Sequence, residues 1–494
     1  MEDLFDTLKE YCAKGNYPMH MPGHKRNTGL TGCPELYGID ITEIDGFDNL
    51  NEATGLLREK LEQAANCFHA DRTFYLVNGS SGGILTGIFA ATRQGDTILV
   101  ARNCHKSVYH AIELRELTPV YLQPEVCPGT GICKGIRAAA VEQALQEHPE
   151  VTLVLLTSPT YEGMLSEVGA IAELAHAHGI PLMVDEAHGA HLGFHPFFGR
   201  NSNELFADLV VQSVHKTLPS LTQTALLHVN GSRIDAGRVE RFFRMFQTSS
   251  PSYPLMASID RCVRLLREQG GELFSQHVAL LRQFYRETEA LTRLKRLPME
   301  TPGQPRDAAK LVISTENISM TGPELYDILR SDYGIQPEMA AGQYVICMTT
   351  IADTPEGFRR LTEALLAVDA DAVPVQKKEP SPLAGQSFPD GQLFPIKPPE
   401  RIKPSELSAL TKLPERRLPA AVARDCPLEW VPWEAAAGRT AGEYLFLYPP
   451  GIPLLVPGEV LGAREQELLR QYEQQGLQVH GLTQEKKLAV IRKE

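Results

Sequence analysis

Pro181-Leu182-Met183-Val184-Asp185-Glu186-Ala187-His188-Gly189-Ala190-His191 and Asp208-Leu209-Val210-Val211-Gln212-Ser213-Val214-His215-Lys216-Thr217 each join a short apolar run to a titratable tail. Such runs are too short for helices and have the length of buried strands. Similar runs occupy residues 73–77, 97–101, 120–123, 151–156 and 224–229, besides 181–184 and 208–212. Helical patterns fall between most of them, over 83–93, 137–147 and 168–178. The strands are near-continuous apolar runs, the pattern of a sheet covered on both faces. Strand–helix alternation predicts an α/β domain with a doubly wound, mostly parallel, seven-stranded sheet. Ligands of such sheets sit at the carboxyl ends of the strands, so the polar tails are where chemistry is expected.

Outside this region the pattern changes. Residues 233–293 read as long helix, and a smaller α+β region follows with strands over 310–314 and 344–348. Pro then recurs among Lys, Glu, Ser and Gln, which reads as a linker. The division is a 1–50 N-terminal arm, a 51–255 large domain, a 256–370 small α+β domain, a 371–404 Pro-rich linker and a separate 405–494 C-terminal α+β domain. For 494 residues that agrees with a prior of about three domains. The chain is 43% hydrophobic and 22% charged, the range of soluble globular proteins. Its 48 Lys and Arg against 61 Asp and Glu give a formal net charge of −13, which disfavours nucleic acid and membrane surfaces as partners. Nine cysteines without a CxxC pair read as reduced thiols in a cytoplasmic setting. Residues 1–12 are acidic and amphipathic, so no signal peptide is expected there. No apolar run reaches membrane-span length.

Four strand tails carry chemistry. After the first strand come Asn78, Gly79, Ser80, Ser81, Gly82 and Gly83. Small residues and hydroxyls before a helix form a phosphate cradle, or equally a plain capped connection. His105 follows the second strand, where it could stack on a flat ligand or simply start a helix. Asp185 ends a buried strand, where a carboxylate is costly unless it meets a cation. Asp185, His188 and His191 could be read as metal ligands, but they lack HExxH spacing and Gly189 works against a helix carrying both histidines, so no metal is expected. Asp185 could instead hold a protonated ring nitrogen. Lys216 after its apolar strand fits a Schiff-base amine, or a lysine reaching out to solvent. Taken in order, an anchor for phosphate, a partner for a ring face, a carboxylate for a pyridine nitrogen and an amine for an aldehyde describe pyridoxal phosphate.

The segments His20-Met21-Pro22-Gly23-His24-Lys25, Asp185 to His191 and Ser213-Val214-His215-Lys216-Thr217 resemble the Orn/Lys/Arg decarboxylases, fold type I pyridoxal-phosphate enzymes with an aspartate aminotransferase-like large domain. The resemblance extends through 40–55, 103–107, Thr157-Ser158-Pro159-Thr160-Tyr161, 249–258 and Tyr448-Pro449-Pro450-Gly451-Ile452-Pro453. It is closest to the short form resembling Gram-positive arginine decarboxylases, without an N-terminal wing domain. It implies that Lys216 carries the cofactor, Asp185 pairs with the pyridine nitrogen and His105 stacks on the ring. It further implies that Ser80, Ser81 and Gly82, with Ser213 and His215, hold the phosphate, that His188 lies near the ring or the substrate carboxylate, and that Thr160 lies near O3′. Glu338 matches the position implicated in recognising the side-chain charge, and otherwise reads as a solvated loop carboxylate; Asp45 and Asp48 are further candidates. The implied reaction is decarboxylation of a basic amino acid, arginine favoured and giving agmatine and CO2, with lysine or ornithine next. Another fold type I reaction such as transamination, or a non-catalytic homologue, are the alternatives. The resemblance also implies a homodimer or an assembly of dimers with the active site at the subunit interface, and a place in polyamine biosynthesis.

Overall fold

A computed structural model describes residues 3–14, 34–127, 130–299, 303, 305–374, 413–447, 452–474, 477 and 479–492. His20-Met21-Pro22-Gly23-His24-Lys25, residues 375–404 of the expected linker and Tyr448-Pro449-Pro450-Gly451 lie outside them. No helix among the described residues is long and apolar enough to cross a membrane.

The large sheet contains β1 (Arg72–Leu76), β2 (Thr97–Ala101), β3 (Thr118–Leu122), β4 (Val151–Thr157), β5 (Leu182–Asp185), β6 (Leu209–Gln212) and β7 (Ala225–Val229). Its order is β1-β7-β6-β5-β4-β2-β3, parallel except where β7 runs against β1 and β6. The mostly parallel seven-stranded sheet expected from the sequence is therefore present. Every residue of β5, β6 and β7 is buried, which is why these strands read as near-continuous apolar runs.

Two helix boundaries differ from the sequence reading. The helix expected over 83–93 is Gly79–Ala91, so Ser80, Ser81 and Gly82 lie in its first turn and not in a loop before it. A tight turn makes this possible, with Gly79 at φ +73° and its N–H donating to the Gln223 carbonyl at 2.9 Å. The helix then packs closely on the sheet: a Cβ at Gly83 would stand 2.6 Å from Leu76 Cδ1. The region read as long and helical over 233–293 contains two helices, Ala236–Phe246 and Tyr253–Glu287. Pro251 separates them, since it lacks an N–H and disfavours helix at the residue before it. Tyr253–Glu287 runs unbroken past residue 255, and its Met256, Phe274 and Leu281 join the same core as Leu209 and Val211.

The second sheet is antiparallel, β10-β11-β9-β8, from β8 (Lys295–Arg296), β9 (Lys310–Ser314), β10 (Met339–Ala341) and β11 (Tyr344–Met348). The C-terminal region pairs β12 (Leu428–Pro432) with β16 (Lys487–Ile491), and β13 (Leu445–Leu447) with β14 (Ile452–Leu455) and β15 (Val479–His480). It has its own core around Trp433, Leu455, Leu469 and Leu488.

One buried ion pair joins that region to the large sheet. Arg102, just past β2, places Nη2 2.9 Å from Glu459 Oε2, and its guanidinium lies over the rings of Tyr109 and Tyr121. Burial raises the Glu459 pKa, and Arg102 offsets this only in part. Glu459→Ala would strand a buried guanidinium, with an expected loss of about 3–5 kcal/mol of stability read as a lower denaturation midpoint. The double variant Arg102→Met, Glu459→Leu is expected to recover most of that loss, because apolar replacement of both partners removes the desolvation cost.

Candidate active site

The tails of the strands meet in one cavity of about 350 Å³. Its wall includes Thr157 at the end of β4 and Thr160 after it, Asp185 at the end of β5, His188 beyond it, His215 and Lys216 after β6, and His105 after β2. Ser80 reaches it from the first turn of Gly79–Ala91, and Glu338 from the residue before β10. This is the carboxyl-end location expected of a doubly wound sheet.

Lys216 lies in a single helical turn, Val214–Thr217. Its Nζ is 3.1 Å from Nε2 of His188. Burial lowers its pKa, opposed by Asp185 and Glu338. Asp185 is 4% exposed and accepts the Ala187 N–H at 3.1 Å. Burial raises its pKa against the pull of Lys216. A carboxylate held this way has unused capacity for a cationic partner. His105 starts the helix Lys106–Leu114 and caps it by accepting the Ser107 N–H, and it also lines the cavity. Burial, with Lys216 next, pushes its pKa down to about 4 and leaves a neutral ring. His215 donates from Nδ1 to the Thr224 carbonyl at 2.7 Å. Thr160 donates to Glu162, whose other oxygen accepts from Tyr344. Glu338 is an exposed loop residue whose carboxylate accepts a hydrogen bond from Tyr161 at the cavity wall.

Some expected residues stand apart. Ser81, Gly82 and Ser213 do not line the cavity of this chain; Ser81 is exposed, while Ser213 is wholly buried with its Oγ unpaired. Asp45 is exposed, and Asp48 accepts the N–H groups of Asn49, Gly55 and Leu57, which explains that carboxylate by the turn it organises. Among the described residues no group of three or more His, Cys, Asp or Glu is placed to hold a metal. His188 faces lysines through both ring nitrogens, and His191 Nε2 lies 3.2 Å from Asp307, at ion-pair distance though off-line for a hydrogen bond.

The residues suit pyridoxal phosphate on structural grounds. Buried polar atoms without a partner, Asn103 Oδ1 and Thr157 Oγ1, belong to cavity residues, beside an amine and a carboxylate of shifted pKa. Such atoms are costly unless a bound group satisfies them. Sequence reasoning missed Tyr161 and Glu162, which continue the Thr160 tail, and Lys310 behind His188. Lys310 opens the apolar run Lys-Leu-Val-Ile-Ser, the same kind of misplaced cation that drew attention to Lys216.

The profile of the Orn/Lys/Arg decarboxylase major domain matches residues 2–315, and that of the C-terminal domain matches residues 411–486. The chain belongs to the Orn/Lys/Arg decarboxylase family. Within it, an arginine decarboxylase of Halalkalibacterium halodurans is 33% identical over 488 residues, 97% of this chain and 94% of that protein. An arginine decarboxylase of Bacillus anthracis is 31% identical over 493 residues, 97% of this chain and 94% of that protein. The solved structure of lysine decarboxylase A from Pseudomonas aeruginosa is similar with a TM-score of 0.81 at 23% identity, over 100% of this chain and 80% of that one. That likeness shows the fold. The resemblance to the short arginine decarboxylases is thus borne out over nearly the whole chain.

Proposed function

We propose that this decarboxylase removes the α-carboxylate of a basic amino acid, arginine in preference to lysine or ornithine, with pyridoxal phosphate carried on Lys216. The observation that carries this reading is the meeting of the Lys216 amine, the buried Asp185 carboxylate, His105 and Glu338 in one cavity. When bound, pyridoxal phosphate supplies an electron sink for the pair left at Cα as CO2 departs.

The chain's own residues do the rest. A lowered pKa keeps more of Lys216 as the free amine that attacks a carbonyl. Asp185 holds a proton at the ring nitrogen, and a neutral nitrogen would draw electrons less strongly. His105 offers its uncharged ring face. Ser80 and His215 take the phosphate with N–H groups of the first turn of Gly79–Ala91, the turn that Ser81 and Gly82 build, while Ser213 supports His215 from behind the cavity wall. Thr160 would face the O3′ side of the bound group. Met348 from the second sheet and Ile452 from the C-terminal region narrow the cavity and limit water. The 51–255 stretch is then the cofactor-binding domain, with 256–370, 371–404 and 405–494 as small domain, linker and C-terminal domain. A homodimer in the cytoplasm completes the reading; the eight described cysteines are all free, as suits reduced thiols.

Glu338, oriented by Tyr161, takes the distal cation. Glu338→Gln is expected to raise KM for arginine by about 10–100-fold, the range for loss of a charge-assisted hydrogen bond. Unchanged cofactor absorbance would show that the site stays formed. Product analysis tests the reaction class: agmatine or a diamine supports decarboxylation, whereas a 2-oxo acid would identify a transaminase.

A further inference from the structure

Glu162 is a third carboxylate in the cavity wall, beside Asp185 and Glu338. It is buried, at 9% exposure, whereas Glu338 is exposed. A tight turn after β4 brings it there. Gly163 donates its N–H to the Thr160 carbonyl at 2.9 Å, and the Met164 N–H donates back to Thr160 Oγ1 at 3.1 Å. Gly163 has φ +91°, and a Cβ there would stand 2.8 Å from Lys310 Cγ. Glycine is the residue that both the conformation and the space allow.

Two hydroxyls, one from each sheet, orient the carboxylate. Thr160 Oγ1 donates to Oε2 at 3.1 Å, and the Tyr344 hydroxyl of β11 donates to Oε1 at 3.0 Å. Both donors are neutral. No Lys, Arg or His among the described residues stands at ion-pair distance from Glu162, and Lys310 acts on it only from beyond that distance. Burial raises its pKa, against these hydrogen bonds and Lys310. A buried carboxylate is costly until a cation meets it. A carboxylate has about four acceptor sites, so one hydroxyl on each oxygen leaves capacity for an incoming pair of N–H groups. The cavity is the side from which such a cation can enter. Asp185 and Glu338 bear on the Lys216 amine, whereas Glu162 does not, so Glu162 faces a part of the ligand other than the reacting centre.

We propose that Glu162 is a specificity-determining residue: with Glu338 it forms a two-carboxylate clamp for a guanidinium, Glu162 accepting an N–H pair in the buried wall and Glu338 meeting the charge from the exposed side. A guanidinium is planar, weakly hydrated and presents its five N–H donors as a fork that fits a carboxylate bidentately. An ammonium is a compact, strongly hydrated point charge. An exposed carboxylate attracts either cation, but a buried and oriented one favours the fork that sheds its water at lower cost. This deepens the reading of the cavity as the site of a basic-amino-acid decarboxylase, and rests on it: the preference for arginine acquires a cause in the second carboxylate.

The test titrates cofactor-loaded wild type, Glu162→Gln and Glu162→Asp with agmatine and with cadaverine, the amines that arginine and lysine leave, and measures kcat and KM for both amino acids. Wild type is expected to bind agmatine at least about tenfold more tightly than cadaverine, the worth of one charge-assisted bidentate pair. Equal binding of the two amines overturns the proposal without any variant. Glu162→Gln keeps the shape and loses the charge. It is expected to weaken agmatine binding and raise KM for arginine by about 10–100-fold, while cadaverine, lysine KM and kcat move by less than about threefold. Cofactor absorbance is expected to stay unchanged. Glu162→Asp, whose charge is set back by one methylene, is expected to fall between wild type and Glu162→Gln, and its arginine-to-lysine KM ratio decides the matter if Glu162→Gln does not fold. Equal losses for the guanidinium and ammonium ligands overturn the proposal, since a merely structural role would give them. A fall in kcat at unchanged KM also overturns it. Glu162-dependent agmatine binding in a protein that releases no CO2 from any basic amino acid supports the clamp and counts against the decarboxylase reading alone.

Discussion

Lys216→Ala is expected to lower CO2 release by at least about 10⁴-fold, as for loss of a covalent nucleophile, and to remove the borohydride-sensitive cofactor absorbance. The structure makes this a sharp test because a second buried lysine, Lys310, lies on the far side of the same imidazole. Only Lys216 reaches the cavity wall. If mass spectrometry of the reduced wild-type protein places the cofactor on Lys310, or if Lys216→Ala retains both band and activity, the assignment of the carrier is wrong.

Asp185→Asn is expected to lower kcat by about 10²–10³-fold, the range for removing one preorganised electrostatic partner, while the cofactor still binds. Asparagine keeps the shape and loses the charge that stabilises a protonated ring nitrogen. The same substitution is expected to stabilise the cofactor-free protein. Burial raises the Asp185 pKa above its ordinary 3.8, so folding disfavours the carboxylate relative to the unfolded chain. That cost is absent below about 3.8, the unfolded value, and is complete above the raised folded value, so it applies at neutral pH. Thermal midpoints of cofactor-free wild type and Asp185→Asn should therefore differ at pH 7 and converge at acid pH. A lower midpoint for the variant at pH 7 would show that the carboxylate already has a sufficient partner within the chain.

The parts of this fold that were legible in the sequence are those in which one stretch carries its own signal. A strand buried on both faces is mostly apolar, as β5, β6 and β7 are, and a polar residue at or just after the end of such a run stands at the ligand-binding edge. That logic found Asp185, His188, His215 and Lys216 together. It could not give the sheet order or the reversed direction of β7, because neither is written in local composition. It placed the phosphate segment in a loop, since a run of Gly and Ser has weak helix propensity, whereas packing against the sheet overrides that preference. Partners distant in sequence were also hidden. Lys310 meets His188 across 122 positions, Tyr161 meets Glu338 across 177, and Arg102 meets Glu459 across 357. Asp48, noticed in the sequence as a candidate substrate ligand alongside Asp45, has a local task that composition did not show: it organises its own turn.

The most direct measurement is CO2 release from arginine, lysine and ornithine in parallel, by wild-type protein supplied with pyridoxal phosphate. The expected result is release from arginine, matched by agmatine, with lysine and ornithine slower. No release from any of the three, with the cofactor band present at Lys216, would contradict the assignment of a basic amino acid as substrate.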